Sequence, residues 1–205
     1  MPSHEIKTGH KPDATGQKRR CDWCSNDPIY THYHDNEWGV PCKDESILFE
    51  MLLLEGAQAG LSWITVLKKR DHYRKVFDHF NPEKIASYSD TKIRSLIQDP
   101  GIIRNRLKIL AFIENAKTYV NLRQQGFSLS EYLWSFVNHK PIQNHLKSLE
   151  ELPTRTDLSD TISKDLKRKG FKFVGTVTIY AYMQAIGMVN DHLKHCWKYK
   201  SSQSR

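Results

Sequence analysis

The stretch from Cys21 to Pro41, CDWCSNDPIYTHYHDNEWGVP, holds two cysteines, two histidines, two tryptophans and two tyrosines. Thiolates and imidazoles are the donors that tetrahedral zinc prefers. Near the other end, Asn190-Asp191-His192-Leu193-Lys194-His195-Cys196 places His192 and Cys196 four apart, one face of a helical turn. Two donors from each end make a two-thiolate, two-imidazole set. More than 150 residues separate the halves, so this is no finger module. It would be a clasp joining the termini of a larger domain. Nothing in the set implies an open coordination position, which favours a structural ion. Spacing alone leaves the ligands open, because Cys21-x-x-Cys24 is itself a ligand pair, His32 competes with His34, and His195 competes with His192. Ordinary buried cysteines and surface histidines are the competing reading.

Glu55 is the second chemical signal. It follows Leu52-Leu53-Leu54, one turn beyond Met51 and two beyond Leu48, on the face that should be buried. An ionised carboxylate is costly to bury, so Glu55 must be paired, protonated or lining a pocket. The negative end of its helix also disfavours the charged form. A structural hydrogen bond to a neighbouring helix is the plainer alternative.

The elements that must position these groups are helical. Asp44 caps a helix whose buried face is Ile47, Leu48, Met51, Leu52 and Glu55, with its exit at Gly56 and Gly60. Ser62 opens a run from Trp63 through Tyr73, Val76 and Phe77 at helical spacing. Asn81-Pro82-Glu83 starts a helix, and Ser89 or Asp90 opens another that Pro100-Gly101 breaks. A long helix runs from about Arg104 to Gln124. Tyr132 to Val137 is a short apolar helix, residues 138–157 form an irregular connection, and Leu158, Ile162 and Leu166 mark a helix closed by Gly170. Residues 171–180 alternate like a strand, but a lone strand would leave its backbone groups unpaired. The expectation is a helix from about Gly175 to Gly187, and an all-α domain.

Composition sets the outer limits. A chain of 205 residues suits one domain, four cysteines are too few for a disulfide scaffold, and no apolar run spans a bilayer. The first twenty residues lack an apolar export signal. The net charge of +8 divides as +3 in residues 1–20, +3 in residues 198–205 and only +2 between. Residues 1–19 read as a disordered polar tail, 20–197 as the domain and 198–205 as a basic tail. Global charge therefore says little about nucleic acid. Two clusters say more: Lys68-Lys69-Arg70, and Lys164, Lys167, Arg168, Lys169 and Lys172.

Taken in order, Cys21-x-Trp23, Pro28-x-Tyr30-x-x-Tyr33-His34-Asp35-Asn36-Glu37-Trp38-Gly39 and Leu54-Glu55-Gly56-x-Gln58-Ala59-Gly60-Leu61-Ser62-Trp63 resemble the 3-methyladenine DNA glycosylase I family. So do Gly101-Ile102-Ile103-Arg104-x-Arg106, Phe136-Val137-Asn138, Lys169 to Gly175 and Val189-Asn190-Asp191-His192. The resemblance covers about Arg20 to Trp197. It implies a helix-hairpin-helix glycosylase fold with one structural Zn2+ on Cys21, His34, His192 and Cys196, and Cys24 as a bystander. It implies a base pocket of Trp23, Tyr30, Tyr33, Glu55 and Trp63, with Glu55 and Tyr33 catalytic. It places DNA contacts at Gly60, Leu61, Gly101, Ile102 and Arg104, with backbone amides at the start of the Arg104 helix binding phosphate. The implied activity is excision of 3-methyladenine from double-stranded DNA by a monomeric, cytoplasmic bacterial enzyme without a nucleotide cofactor. A metal-dependent hydrolase and a non-catalytic DNA-binding scaffold are the other classes that the same residues would serve.

Overall fold

The computed structural model describes residues 18–200. Most of the expected N-terminal tail and the last five residues of the basic C-terminal tail lie outside that range. The described chain is mostly helical.

Helix α1 (Pro28–Asn36) has no counterpart among the expected elements. Asp27 caps it through the Ile29 amide and Pro28 starts it, and its inward face is Tyr33 and His34. Helix α2 (Glu45–Gln58) begins at the expected cap, Asp44, which accepts from the Ser46 and Ile47 amides. From Leu48 to Ala57 every residue is buried, so α2 is the central helix, apolar all round apart from Glu50 and Glu55.

The expected single run after Ser62 is two helices, α3 (Trp63–Leu67) and α4 (Arg70–Val76). The break turns Arg70 inward, where its guanidinium donates to Glu50 Oε1 at 2.6 Å and to Glu37. Helix α5 (Pro82–Ala86) is capped by Asn81, and α6 (Asp90–Gln98) by Ser89 rather than Asp90. Helix α7 (Arg106–Gln124) starts two residues later than expected, because Asn105 caps it through the Lys108 amide. Arg104 therefore belongs to the preceding turn. Helix α8 (Leu129–Ser135) starts three residues early on a Ser128 cap.

Helix α9 (Asp157–Lys169) opens on a Thr156–Ser159 capping box and closes at Gly170, whose φ of 105° suits glycine. The ambiguous stretch is helix α10 (Thr176–Ala185), from the expected start. Two short strands were not expected: β1 (Ile142–Gln143) pairs in parallel with β2 (Val189–Asn190), with Ile142 opposite Val189. This ladder brings the C-terminal segment against the connection after α8. Helix α2 packs against α3, α7, α8 and α10, and α10 packs on α9. Gly187 permits a close backbone crossing, since a Cβ there would stand 2.3 Å from the Val40 carbonyl carbon.

Candidate functional site

Helices α1, α2, α3 and α10 enclose a cavity of about 310 Å3. Trp23, Tyr30, Tyr33, Glu55 and Trp63 all line it. The aromatic rings meet at tilted angles: Trp23 to Tyr30 at 5.0 Å between centroids, Tyr33 to Trp63 at 5.3 Å. Such walls leave flat faces for a planar guest.

Three buried polar atoms here have no hydrogen-bond partner: Glu55 Oε2, Trp23 Nε1 and Trp63 Nε1. An unmade bond at a buried polar atom costs about 1–3 kcal/mol. One acceptor and two donors left bare in one cavity point to a polar ligand that completes them. Glu55 is 3% exposed, and burial pushes its pKa up to about 8. Burial thus favours its neutral form in the free protein. Burial, and then the charge of Glu55, raises the Tyr33 pKa well above its ordinary value, so its hydroxyl keeps its proton.

Trp38, Gln58, Ala181, Gln184, Leu149 and Leu152 complete the lining. Trp38 and Gln58 stand inside recognisable motifs, but nothing in their spacing marks them as lining. The other four come from α10 and the connection after β1, and no sequence signal ties them to the cavity. Gln184 is held from behind: its Nε2 donates to Asp191, which also accepts from Tyr180 and Asn144.

Beside the cavity, Cys21, His34, His192 and Cys196 are all buried, with ligating atoms within 4.8 Å of one another. Sulfur and nitrogen stand 3.4–3.5 Å apart in three pairs: Cys21 with His192, Cys196 with His34 and Cys196 with His192. Zinc at about 2.3 Å from sulfur and about 2.0–2.1 Å from nitrogen would set them roughly 3.5 Å apart in a tetrahedron. The four residues thus fit a metal ion. The outer partners fit as well. His34 Nδ1 meets Asp35 Oδ1 at 2.8 Å, and His192 Nε2 meets the Trp38 carbonyl at 3.2 Å, which turns His34 Nε2, also approached by the Cys21 amide at 3.3 Å, and His192 Nδ1 toward the sulfurs. Amides of Leu193 and Lys198 donate to the two sulfurs. Hydrogen bonding with Cys21, and then with the imidazoles, favours the thiolate on Cys196; the same bond and burial push the Cys21 thiol up. Burial opposes charge on Asp35, but the Arg20 fork, His34 and Trp197 hold its carboxyl down to about 2.

The competitors stand outside the cluster. Cys24 Sγ faces the Ser25 carbonyl, His32 is exposed beside Asn36, and His195 meets the Arg20 carbonyl. His192 and Cys196 do not share a helical turn as expected: they lie in the irregular segment after β2. The C-terminal segment reaches the metal donors by running alongside β1, which serves where a helix would carry both side chains on one face.

Trp38 belongs to both regions. Its ring meets His192 edge-on at 4.7 Å and Trp23 at 4.9 Å. Gly39 makes this possible: its φ is 71°, and a Cβ would lie 3.1 Å from His192 Nε2.

The remaining predicted residues occupy two turns. Gly60, with φ 78°, and Leu61, 41% exposed, follow α2 directly. Between α6 and α7, Ile102 is buried, Gly101 presses on the His72 ring, and Arg104 is exposed. The amides of Gly101 and Ile103 are used internally, by Asp99 Oδ1 and the Tyr73 hydroxyl. No helix starts at Arg104 as expected: α7 starts at Arg106, and its Asn105 cap takes the Lys108 amide. The Lys68-Lys69-Arg70 cluster is also largely internal: Lys68 pairs with Asp27, Lys69 donates to the Pro100 carbonyl, and Arg70 is buried. Lys164, Lys167 and Arg168 line an open groove on α9.

Comparison with known proteins adds context to this geometry. A family model described as methyladenine glycosylase matches residues 23–199. The DNA-3-methyladenine glycosylase 1 of Escherichia coli (strain K12) is 53% identical over 184 residues, 90% of this chain and 98% of that protein. A crystal structure of a 3-methyladenine DNA glycosylase I superposes with a TM-score of 0.85 at 52% identity, covering 87% of this chain and 98% of that one. A further variant of such an enzyme, solved in complex with 3-methyladenine, matches at a TM-score of 0.82 and 40% identity, covering 86% and 95%.

Proposed function

This chain belongs to the methyladenine glycosylase family, and from that premise we propose that it excises 3-methyladenine from alkylated double-stranded DNA. It hydrolyses the N-glycosidic bond, releases the free base and leaves an abasic site. The observation that carries the reading is the buried, unpartnered Glu55 Oε2, set among aromatic faces and two bare indole N–H groups.

Adenine methylated at N3 is cationic while joined to deoxyribose and leaves as a neutral molecule. The bond is already weakened, so the enzyme's task is to extract the lesion and refuse the neutral base. Trp23, Tyr30 and Trp63 stack on the flipped base and attract its charge. Glu55 accepts from the exocyclic amine. The arriving cation favours the carboxylate, so Glu55 loses its proton as the charged base docks. Tyr33 remains a phenol and positions the base edge. Selectivity thus rests on charge more than on size, since adenine offers no cation to offset the cost of ionising Glu55.

The helix-hairpin-helix element is α6, the 99–105 turn and α7. Its phosphate contacts come from Arg104 and the first turn of α7, with Gly101 and Ile102 shaping the hairpin. Gly60 and Leu61 enter the duplex where the base has left. Cys21, His34, His192 and Cys196 would hold one structural Zn2+, which would cross-link the N- and C-terminal segments. Four protein donors would leave such an ion no open position for a catalytic water, which disfavours the metal-dependent hydrolase alternative. The intact cavity disfavours the non-catalytic scaffold.

Incubation with N-methylated duplex DNA and identification of the released bases tests the reading. Release of 3-methyladenine is expected, and none from the wild-type protein would sink it. Undiminished release by both Glu55→Ala and Trp63→Ala would refute the pocket assignment.

A further inference from the structure

Lys108 lies in the first turn of α7 and is 7% exposed. Its ammonium donates to two main-chain carbonyls, Ala57 at 2.7 Å and Ala59 at 2.6 Å. Those carbonyls end α2, where a cation is favourable. On its own helix, however, Lys108 sits at the positive end, where a cation is unfavourable. Burial adds a desolvation cost and pulls its pKa down. A methionine would fill the same space without those two penalties, but would leave the Ala57 and Ala59 carbonyls without this donor. What the ammonium holds is one backbone geometry.

That geometry is the turn from Ala57 to Leu61. The Leu61 amide closes it on the Gln58 carbonyl at 2.6 Å. A Cβ on Gly60 would meet nothing within 4 Å, so the tip of the turn is open and Lys108 grips its base. The other end of the grip is also fixed. The 99–105 turn that leads into α7 is clamped to α4 by three contacts: Lys69 on the Pro100 carbonyl, His72 on Asp99 and the Tyr73 hydroxyl on the Ile103 amide. The raised pKa of Glu55 has burial as its cause, with no contribution from Lys108. Lys108 therefore acts on the turn and not on the carboxylate.

We propose that Lys108 is a positioning residue for base release, whose ammonium locks the Leu61 turn in register with the 99–105 turn so that both meet the duplex together. This rests on the base-release activity proposed above. In this role, Lys108 governs extraction of the base from duplex DNA but not the cavity's affinity for a free base.

Lys108→Met separates the two. Release of 3-methyladenine from methylated duplex DNA is expected to fall about tenfold or more, since small misplacements of positioning groups have effects of that size or larger. Affinity for free 3-methyladenine, read from tryptophan fluorescence, should stay within about twofold, with folding intact by circular dichroism. On a Leu61→Ala background, Lys108→Met should cost less than about twofold more, because the two act through one turn. Unchanged release, parallel loss of release and free-base affinity, or full additivity with Leu61→Ala would each overturn the proposal. If Lys108→Met does not fold, Lys108→Gln, which keeps a donor, undergoes the same measurements. Failure of both to fold also overturns it, by making Lys108 a core determinant. A wild-type protein that releases no base refutes the activity itself, a result distinct from any of these.

Discussion

The metal cluster and the cavity share the rings of Trp23 and Trp38, yet they treat polar atoms in opposite ways. In the cluster both imidazoles are oriented from outside and the sulfurs accept amide hydrogens. In the cavity a carboxyl oxygen and two indole N–H groups are buried bare. The first arrangement is complete within the chain and serves rigidity. The second leaves three buried polar atoms without a partner in the chain, which is what the proposed recognition of a base would use.

The largest effect should come from breaking the cluster. His34→Ala, or chelation of the wild-type chain, is expected to unfold the N- and C-terminal segments, since metal binding of this kind is folding free energy. Metal content and thermal unfolding check it, and a chelated chain with wild-type Tm would remove the structural role.

Next is Glu55→Gln, which should cut base release about 10²- to 10³-fold while leaving the fold intact. The same variant sharpens the contrast through pH. The folded pKa of Glu55, about 8, lies above the ordinary 4.5. The native state therefore binds the extra proton, and its stability falls as pH rises through that window. The full penalty is on the order of 5 kcal/mol above pH 8. Wild type should lose Tm between about pH 4.5 and 8 relative to Glu55→Gln, and parallel curves would show that the carboxyl is not buried neutral. Base release by the wild type should rise with pH over the same range, because less work is needed to ionise Glu55.

Asp35→Asn acts one shell further out, and should weaken metal affinity about 10- to 100-fold with the fold retained when metal is in excess. A competition titration measures it. The smallest effect is assigned to Cys24→Ser, with metal content and Tm unchanged. Loss of metal there would move the ligand role from Cys21 to Cys24.

Much of the fold was legible because caps are local chemistry. Asp44, Asn81 and Gly170 mark helix ends with their own side chains or lack of one. Helix α1 was missed because its chemistry-bearing residues mask any apolar stripe, although Asp27-Pro28 announces a start. The split of α3 from α4 was missed because it depends on Arg70 reaching Glu37 and Glu50, partners more than 15 positions away. In the site, Glu55 stood out as a carboxyl on an apolar face. Gln184 and Leu149 did not, since nothing about a glutamine on α10 or a leucine in a connection marks a cavity.

By itself, the sequence determined the types of chemistry: donors of the right kind at both ends, an acid where acids are costly, and aromatic residues between. Each follows from a residue's own properties and its near neighbours. Tertiary structure alone decided which donors converge, admitting Cys21, His34, His192 and Cys196 and excluding Cys24, His32 and His195. It also left Glu55 Oε2 without a partner. Convergence and isolation are both distances across space, set by how α1, α2 and the β1–β2 ladder pack, and no local pattern encodes them.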